Sequence, residues 1–247
     1  ISDLIRMVNI VFETFGFESV KVELSTRTEK ALGAKKLWEK SEAMLEASLI
    51  EHKMDFNLVE GEGAFYGPKI DFQARDALGR YHQLSTIQLD FNLPERFELE
   101  YVAEDGSYER PVMIHRAILG SIERFLGVYL EHCGGNFPLW LAPTQVAILT
   151  ISDKFGDYGR DLLTQLKSAG IRAELDDRAD KVGAKIRNAE MNKVNVMLIV
   201  GAREAEAGEV SVRRRFEGDL GQMKVDQLIE QLDNEINNKR RKEQSQK

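Results

Sequence analysis

The sequence changes its pattern between residues 134 and 143, and this break limits the folds open to the chain. The segment Gly-Gly-Asn at 134–136 is followed by prolines at 138 and 143, and Gly/Pro-rich stretches interrupt helices and strands. A chain of 247 residues is also long enough for two domains. The sequence therefore predicts one domain at 1–135, a linker at 136–143, a second domain at 144–240 and a charged tail at 241–247.

Before the break, the pattern predicts an α+β domain with an antiparallel sheet. Apolar residues recur at helical spacing over 3–15 and 35–52. Strand signals occur at 20–24, 70–74, 81–91, 99–102 and 112–114. The strands at 70–74 and 81–91 flank a turn, so we expect them to form a hairpin.

After the break, strands alternate with helices. The pattern predicts strands at 146–151, 171–175, 195–200 and 209–214, and helices at 153–169, 181–192 and 225–237. This alternation is typical of an α/β domain in which helices flank a mixed sheet with largely parallel pairing.

The segment 111–125 reads Pro-Val-Met-Ile-His-Arg-Ala-Ile-Leu-Gly-Ser-Ile-Glu-Arg-Phe. Its first four residues predict a buried strand, and 116–130 predicts an amphipathic helix, which places His115 at the junction. Arg124 lies on this helix beside the small residues Gly120 and Ser121. A planar guanidinium there could stack on a purine or hold a triphosphate.

Charge and cysteine content limit the partners and the compartment. The net charge is −7, but residues 1–142 carry −8 and residues 143–247 carry +1, with basic clusters at 178–193, 213–215 and 239–242. A local basic face can bind RNA because screening limits long-range repulsion to about 10 Å. The single cysteine, Cys133, fits a reducing cytoplasm, and no apolar run is long enough for a membrane span.

Four segments together carry a family resemblance. The segment 111–125 resembles motif 3 of the class II aminoacyl-tRNA synthetases, in the form found in the threonyl-tRNA synthetase family. Glu-Gly-Glu-Gly-Ala-Phe-Tyr-Gly-Pro-Lys-Ile (60–70), Gln-Leu-Ser-Thr-Ile-Gln-Leu-Asp-Phe (83–91) and Asn-Phe-Pro-Leu-Trp-Leu-Ala-Pro (136–143) match the same family in order and spacing. Nothing in the chain resembles the family's motifs 1 and 2, so we expect a C-terminal part of a longer enzyme.

The resemblance implies an activity, cofactors and partners. The parent enzyme would join threonine to ATP and transfer threonine to the 3′ end of threonine tRNA, with Mg²⁺ on the phosphates. It would contain zinc and form a homodimer. The first domain would be part of the catalytic domain, and the second would bind the anticodon. The chain alone would lack enough of the site to be active.

The resemblance also assigns roles to residues of the first domain. Tyr66, Lys69, Gln83, Thr86, Gln88 and Ser121 match substrate-binding or catalytic positions, and Arg124, Gln83 and Thr86 match ATP-binding positions. Ser85 stands where many members carry glycine. Each assignment has a simpler alternative. The residues on the strands could be ordinary polar residues at a strand edge or facing solvent. Ser121 could serve only helix packing, and Arg124 could pair with Glu123 or Glu131. By a period of two, Gln88 shares a strand face with Thr86, whereas Gln83 lies on the other face unless a bulge intervenes.

His115 resembles one of three zinc ligands in the family. Zinc that acts on a substrate needs three protein ligands and an open position. The other two would lie outside this chain, so we expect the chain alone to bind zinc poorly. Without the motif, a histidine hydrogen-bonded in a core is the more common case.

In the second domain, the resemblance assigns anticodon reading to Glu204 and Arg213. Arginine can donate two hydrogen bonds to guanine, and glutamate can accept one from uracil. Arg178, Lys181 and Arg187 would contact the phosphate backbone. Ala179 stands where the family usually has an asparagine that contacts the anticodon. The alternative for the arginine run at 213–215 is a solvated strand edge.

Two other functions remain open from sequence alone. One is a non-catalytic RNA-binding protein that retains the anticodon-binding domain, although such a protein would not need Tyr66, His115 and Arg124 together. The other is a prolyl or histidyl enzyme of the same class, against which the position of His115 argues.

Overall fold

The computed structural model describes residues 1–238, which form two compact units. The first unit covers Ile1–His132 and the second begins at Cys133. The predicted tail at 241–247, the basic cluster at 239–242 and the last residues of the predicted second domain lie outside the described residues. Within residues 1–238, no helix combines the length and apolar character needed to cross a membrane.

The first unit is built around a five-stranded sheet. Its helices are α1 (Ser2–Phe15), α2 (Lys35–Glu51), α3 (Asn92–Arg96) and α4 (Ile122–His132). Its strands are β1 (Val20–Ser25), β2 (Asn57–Val59), β3 (Lys69–Arg75), β4 (Tyr81–Asp90), β5 (Tyr101–Val102), β6 (Tyr108–Glu109) and β7 (Met113–Ala117). The sheet order is β2-β1-β3-β4-β7, and every pair except β1–β2 is antiparallel. The separate pair β5–β6 forms a small hairpin.

The helices of this unit bury the apolar faces that the sequence predicts. On α1, the buried residues Ile5, Val8 and Phe12 lie on one side, and the helix ends at Gly16, whose φ of 72° suits glycine. On α4, Phe125 and Tyr129 are buried and their rings stack 5.7 Å apart. The predicted α+β class with a predominantly antiparallel sheet is confirmed.

The predicted boundary between the last strand and its helix is wrong. His115 does not lie at a junction: it lies in the middle of β7, which continues to Ala117. The helix begins only at Ile122, after a turn in which Gly120 has a φ of 65°. The apolar spacing of 116–121 imitates a helix, but hydrogen-bonded pairing of Arg116 and Ala117 with β4 overrides that local preference.

The second unit also contains a five-stranded sheet. Its strands are β8 (Val146–Thr150), β9 (Ala173–Asp176), β10 (Val196–Val200), β11 (Glu209–Arg214) and β12 (Gly218–Lys224). Its α-helices are α5 (Gly156–Ser168), α6 (Val182–Met191), α7 (Ala202–Ala207) and α8 (Val225–Asn237), and a short 3₁₀-helix covers Asp153–Phe155. The order is β12-β11-β10-β8-β9; β8 pairs in parallel with β9 and β10, whereas β11 pairs antiparallel with β10 and β12. The sheet is therefore mixed, as predicted, but only half of its pairs are parallel.

Both faces of this sheet are covered. One core includes Val146, Ile148, Leu162 and Leu228, which come from the strands and from α5 and α8. The other includes Ala147, Leu149 and Ala189, in which α6 takes part. A sheet buried on both faces explains the nearly continuous apolar runs of β8 and β10.

The segment 136–143, expected as a linker, is hydrogen-bonded to this second unit. Leu139 is 2% exposed within the larger core. Gln145 Nε2 donates to the Leu139 carbonyl (2.8 Å), and Asn195 Nδ2 donates to the Phe137 carbonyl (3.0 Å). Arg172 donates from Nε to the Ala142 carbonyl (2.9 Å) and from Nη2 to that of Trp140 (2.9 Å).

Candidate functional site

A row of polar side chains crosses the sheet of the first unit. Lys69 of β3 is paired with Gln88 of β4, and Gln88 is paired with His115 of β7. Directly paired residues of antiparallel strands point to the same face, so these three side chains lie side by side. The Tyr66 hydroxyl, from the turn before β3, donates to Gln88 Oε1 (2.8 Å).

A second row lies on the same face, one step along the strands. Asp71 of β3 is paired with Thr86 of β4. Asp71 is 3% exposed, and its Oδ1 accepts from the Thr86 hydroxyl (2.9 Å). Lys69 Nζ forms a hydrogen-bonded ion pair with Asp71 Oδ2, which links the two rows.

Gln83 joins this face because a bulge intervenes. Phe72 is paired with Ser85 but the next residue, Gln73, is paired with Gln83, so Leu84 is an extra residue in β4. Gln83 Nε2 then donates to Asp71 Oδ1 (2.7 Å) and to Thr86 Oγ1 (2.7 Å).

His115 is held by a buried carboxylate. Its Nε2 lies 2.8 Å from Asp90 Oδ2, and its ring meets that of Tyr66 edge-on with centroids 5.9 Å apart. Burial by itself would raise the pKa of Asp90, but hydrogen bonds from His115 and from the backbone of Leu93 and Asn92 outweigh it and hold the pKa below its ordinary value. Burial and the charge of Asp90 raise the pKa of Tyr66, so its hydroxyl remains protonated at neutral pH.

Tyr66, Asp90 and His115 line a cavity of about 430 Å³. Most of its exposed lining surface is apolar, although five of the eight lining residues carry a polar or charged group, a combination usual for small-molecule sites. The lining residues are Leu32, Phe65, Tyr66, Asp90, Asn92, Leu93, Arg96 and His115.

The residues of this chain do not by themselves form a metal site. Among residues 1–238, no three His, Cys, Asp or Glu side chains are arranged to hold a metal ion. The chemistry of His115 nevertheless suits a ligand, because a metal-bound histidine usually has its other ring nitrogen on a carboxylate, as Asp90 provides. Its side chain is 38% exposed, so it is not a core histidine.

Ser121 and Arg124 lie at the start of α4. The Ser121 hydroxyl accepts a hydrogen bond from the Arg124 backbone N–H (3.2 Å), and both residues are exposed. Within residues 1–238, Arg124 forms no ion pair, and Glu131 is bonded instead to Arg80 Nη2 (2.8 Å). The predicted alternative pairing of Arg124 with Glu131 is therefore wrong. No hydrogen bond in the described part of the chain links Ser121 or Arg124 to the two polar rows.

Sequence reasoning missed the two buried carboxylates. Asp71 and Asp90 lie in otherwise apolar strands, and acidic residues are rarely buried unless they are paired. That signal could have identified both. Ser85, noted as a departure from the family, is fully buried and its hydroxyl donates to the Ile118 carbonyl.

In the second unit, Arg213 lies on β11, an interior strand between β10 and β12. The arginine run at 213–215 is therefore not a solvated sheet edge. Arg213 Nε lies 3.5 Å from Glu190 Oε1 of α6, which leaves its two Nη atoms for another partner. Arg214, by contrast, is buried and paired with Glu235 (2.8 Å).

Glu204 is buried and fully engaged. Its carboxylate accepts from the Gly201 backbone N–H (3.0 Å), the Ser211 hydroxyl (2.8 Å) and Gln222 Nε2 (3.1 Å). Burial would raise the pKa of Glu204, but these hydrogen bonds outweigh it and lower the pKa. In this conformation, Glu204 ties α7 to β11 and β12 and offers little surface to a base.

Two of the three predicted phosphate-binding residues, Arg178 and Lys181, precede α6, and the third, Arg187, lies in the middle of it. Arg178 is exposed and forms a bidentate ion pair with the Asp176 carboxylate, through Nε (2.9 Å) and Nη2 (2.7 Å). This pairing raises the pKa of Arg178. Lys181 immediately precedes α6, and Arg187 is exposed on it. Ala179 is also exposed in the loop before α6. These residues and Arg213 thus border the same helix, and Arg213 meets it at Glu190.

The comparisons with known proteins divide the chain in a similar place. Residues 1–133 match the family model of the class II tRNA synthetase core domain (G, H, P, S and T), and residues 145–235 match that of the anticodon-binding domain. The chain is 49% identical over 241 residues to threonine–tRNA ligase of Finegoldia magna and 50% identical over 236 residues to that of Clostridioides difficile. These alignments cover 97% and 96% of the chain but only 38% and 37% of the relatives.

Solved structures give the same picture. The RNA-binding domain of threonyl-tRNA synthetase from Cryptosporidium parvum superimposes with a TM-score of 0.89 at 39% identity, covering 94% of this chain and 59% of that one. A putative threonyl-tRNA synthetase from Aeropyrum pernix superimposes with a TM-score of 0.80 at 31% identity, covering 96% and 60%.

Proposed function

The chain belongs to the threonyl-tRNA synthetase family of class II aminoacyl-tRNA synthetases, and from this premise we propose that it is part of a threonine–tRNA ligase. The whole ligase would activate threonine with ATP to threonyl-adenylate and pyrophosphate, and then transfer threonine to the 3′ end of threonine tRNA. The chain spans about two fifths of the length of its curated relatives. The complete reaction is therefore a proposal for the longer protein, which the family resemblance implies is a cytoplasmic homodimer.

The single observation that carries the proposal is the polar row of Lys69, Gln88 and His115 beside Tyr66. The Tyr66 hydroxyl donates to Gln88, so its oxygen can accept from the threonine ammonium group. Lys69 has two N–H donors left for a carboxylate or phosphate oxygen, where it would offset negative charge that develops in the reaction. Catalysis would consist mostly of positioning and charge stabilisation.

The ATP-binding role falls to Arg124, Gln83 and Thr86, with Ser121 beside the substrate. Arg124 is an exposed guanidinium without an ion-pair partner in the described residues, which suits stacking on adenine or contact with a phosphate. Mg²⁺ would accompany the ATP phosphates and neutralise their charge.

We also assign His115 as one ligand of a zinc ion whose other protein ligands lie outside this chain. Zinc would supply a Lewis acid that binds the amino and hydroxyl groups of threonine. Within this chain, Asp90 fixes the ring orientation of His115 through Nε2.

The second unit would read the anticodon. Arg213 presents its Nη atoms beside α6, where two parallel hydrogen bonds to guanine O6 and N7 suit a guanidinium. Arg178, Lys181 and Arg187 would hold the phosphates near the same helix. Glu204 is proposed as the second reading residue, although its carboxylate would have to exchange one of its present partners.

The test is binding of the 247-residue chain to threonine tRNA and to the same tRNA with the last two anticodon bases changed, at two salt concentrations. We expect the native anticodon to bind more tightly at both. Arg213→Ala should remove that preference at a cost of about 1–3 kcal/mol, the range for a bidentate contact to a base.

A matched control is Arg160→Ala. Arg160, like Arg213, is an ion-paired arginine, bonded to Asp157 and Asp177, but it lies on α5, whose residues contribute to the core on the other face of the sheet. It should keep the anticodon preference. Equal and purely salt-sensitive binding of both tRNAs would show that the reading residues are wrongly assigned and would leave only a general basic surface.

A further inference from the structure

We propose that Asp71 is a positioning residue that sets which hydrogen-bonding groups Lys69, Gln83 and Thr86 present to the substrate. The inference rests on the proposed function, since it concerns the threonine-activating site. The family resemblance assigns no role to Asp71. It is buried beneath the three side chains, so it would act through them and not touch the substrate.

Three side-chain donors converge on this one carboxylate. Oδ1 accepts from Gln83 Nε2 (2.7 Å) and from the Thr86 hydroxyl (2.9 Å), and Oδ2 accepts from Lys69 Nζ. A carboxylate has acceptor sites only, whereas an amide of the same shape has one acceptor and one donor group. Only a carboxylate at position 71 can accept from all three donors.

These hydrogen bonds fix the orientation of the Gln83 side-chain amide. Its amide nitrogen lies 2.7 Å from both Asp71 Oδ1 and Thr86 Oγ1, so the N–H₂ end of the amide faces this pair. Its carbonyl Oε1 therefore remains, and no residue among 1–238 donates to it. Gln83 is exposed, so the group it offers to a substrate is an acceptor. That acceptor suits an N–H or O–H group of threonine or ATP.

The same bonds orient the other two residues. The Thr86 hydroxyl proton is directed at Asp71, and its oxygen accepts from Gln83, so only one acceptor site of this oxygen remains. Lys69 uses one of its three N–H groups on Asp71, and two remain for an oxygen of the substrate. Asp71 also offsets part of the charge of Lys69, whose side chain is only 18% exposed.

The test variant is Asp71→Asn in the full-length ligase that contains this chain. Asparagine has nearly the same shape but would direct an amide N–H₂ group at Lys69 or Gln83. We expect kcat for threonine-dependent ATP–pyrophosphate exchange to fall at least tenfold. The variant Lys69→Met should also reduce kcat, and the double variant should lose less than the product of the two single losses, because part of the effect of Asp71 is exerted through Lys69.

The matched control is Asp76→Asn. Asp76 is a buried aspartate at the turn of the same hairpin, hydrogen-bonded to Arg80 and His82, and it contacts none of the proposed site residues. Its replacement should lower the melting temperature but leave kcat within twofold. An unchanged kcat in Asp71→Asn, or a double variant whose loss is the product of the two single losses, would overturn the inference. If the wild-type ligase itself shows no exchange, the proposed function fails instead.

A second measurement needs no folded variant. In the wild-type chain, the side-chain amide protons of Gln83 should exchange with solvent at least tenfold more slowly than those of Gln165, an exposed glutamine on α5. Equal exchange rates would mean that Asp71 does not hold Gln83 and would refute the inference even if Asp71→Asn does not fold.

Discussion

Glu204 is a buried carboxylate on which three hydrogen bonds from different elements converge. Its donors come from Gly201, Ser211 and Gln222, which belong to the start of α7, to β11 and to β12. Removing the charge while keeping the shape leaves buried donors with a poorer acceptor. Such a substitution should therefore lower the stability of the folded chain, and this can be measured without RNA.

We expect Glu204→Gln to destabilise the chain by about 1–3 kcal/mol at pH 7, the usual cost of an unsatisfied buried group. The pKa of Glu204 is lowered in the folded protein, so its stabilising effect is present above its unfolded pKa of about 4.3 and is lost as the pH falls through the folded value. The difference between wild type and variant should therefore narrow below about pH 4.

Urea unfolding of both proteins between pH 3 and pH 7 measures this difference. Glu206→Gln, an exposed neighbour on α7, is the control and should match wild type throughout. If the difference in unfolding free energy between wild type and Glu204→Gln stays constant from pH 3 to pH 7, these hydrogen bonds do not stabilise the charged form of Glu204.

Among the structural elements, the turn that leads into β3 depends on a close approach between two backbones. A Cβ atom on Gly67 would lie 2.0 Å from the Leu89 carbonyl oxygen of β4. The flanking residues bond to the same strand end: the Leu89 N–H donates to the Pro68 carbonyl (3.0 Å), and the Phe91 N–H donates to the Tyr66 carbonyl (3.4 Å). Gly67 therefore allows Tyr66 to reach Gln88.

Gly67→Ala should destabilise the chain by about 1–3 kcal/mol, because the backbone of β4 must move to admit a methyl group. Gly127→Ala is the control: Gly127 lies on α4, and a Cβ atom there meets nothing within 4 Å. That change should stabilise the chain by about 0.5–1 kcal/mol. Urea unfolding measures the free energy of unfolding of both variants. An unchanged free energy in Gly67→Ala would contradict the close approach of the two backbones.

The elements also show what sequence could and could not predict. Alternation and helical spacing predict α1, β1, the β3–β4 hairpin and α8 because local pattern and tertiary burial agree there. They do not predict α7, which has only six residues, or β12, which contains Gly218 and Gly221 and depends on pairing with β11. The β4 bulge that brings Gln83 beside Thr86 is likewise set by pairing, so a strict period of two places Gln83 on the wrong face.

The sequence predicts the side chains that would face a substrate, but not the buried carboxylates that hold them in place. The family resemblance points to Tyr66, Lys69, Gln88 and Thr86, and these side chains lie together in the structure. Asp71 and Asp90 carry no motif signal of their own, and their roles become visible only when the paired strands show which donors face them. Buried polar networks of this kind depend on tertiary geometry.

The second unit is stabilised by residues that precede its first strand. Leu139 fills part of its core, and the carbonyls of Phe137 and Ala142 accept hydrogen bonds from Asn195 and Arg172. Lys193 Nζ also donates to the Gly134 carbonyl. A boundary placed at residue 144 on the basis of glycines and prolines therefore cuts through these contacts.

We expect a fragment of residues 144–238 to fold cooperatively but to be less stable than a fragment of residues 133–238. The shorter fragment loses the burial of Leu139, about 1.5–3 kcal/mol, and leaves Gln145 Nε2 without its carbonyl acceptor. Leu139→Ala in the longer fragment should reproduce most of this loss, since a buried Leu→Ala change costs about 2–5 kcal/mol. Thermal and urea unfolding of the three proteins measure this loss of stability.

Equal midpoints for the two fragments would show that residues 133–143 contribute nothing to the unit. The absence of a cooperative transition in both would mean that the unit needs the rest of the chain to fold.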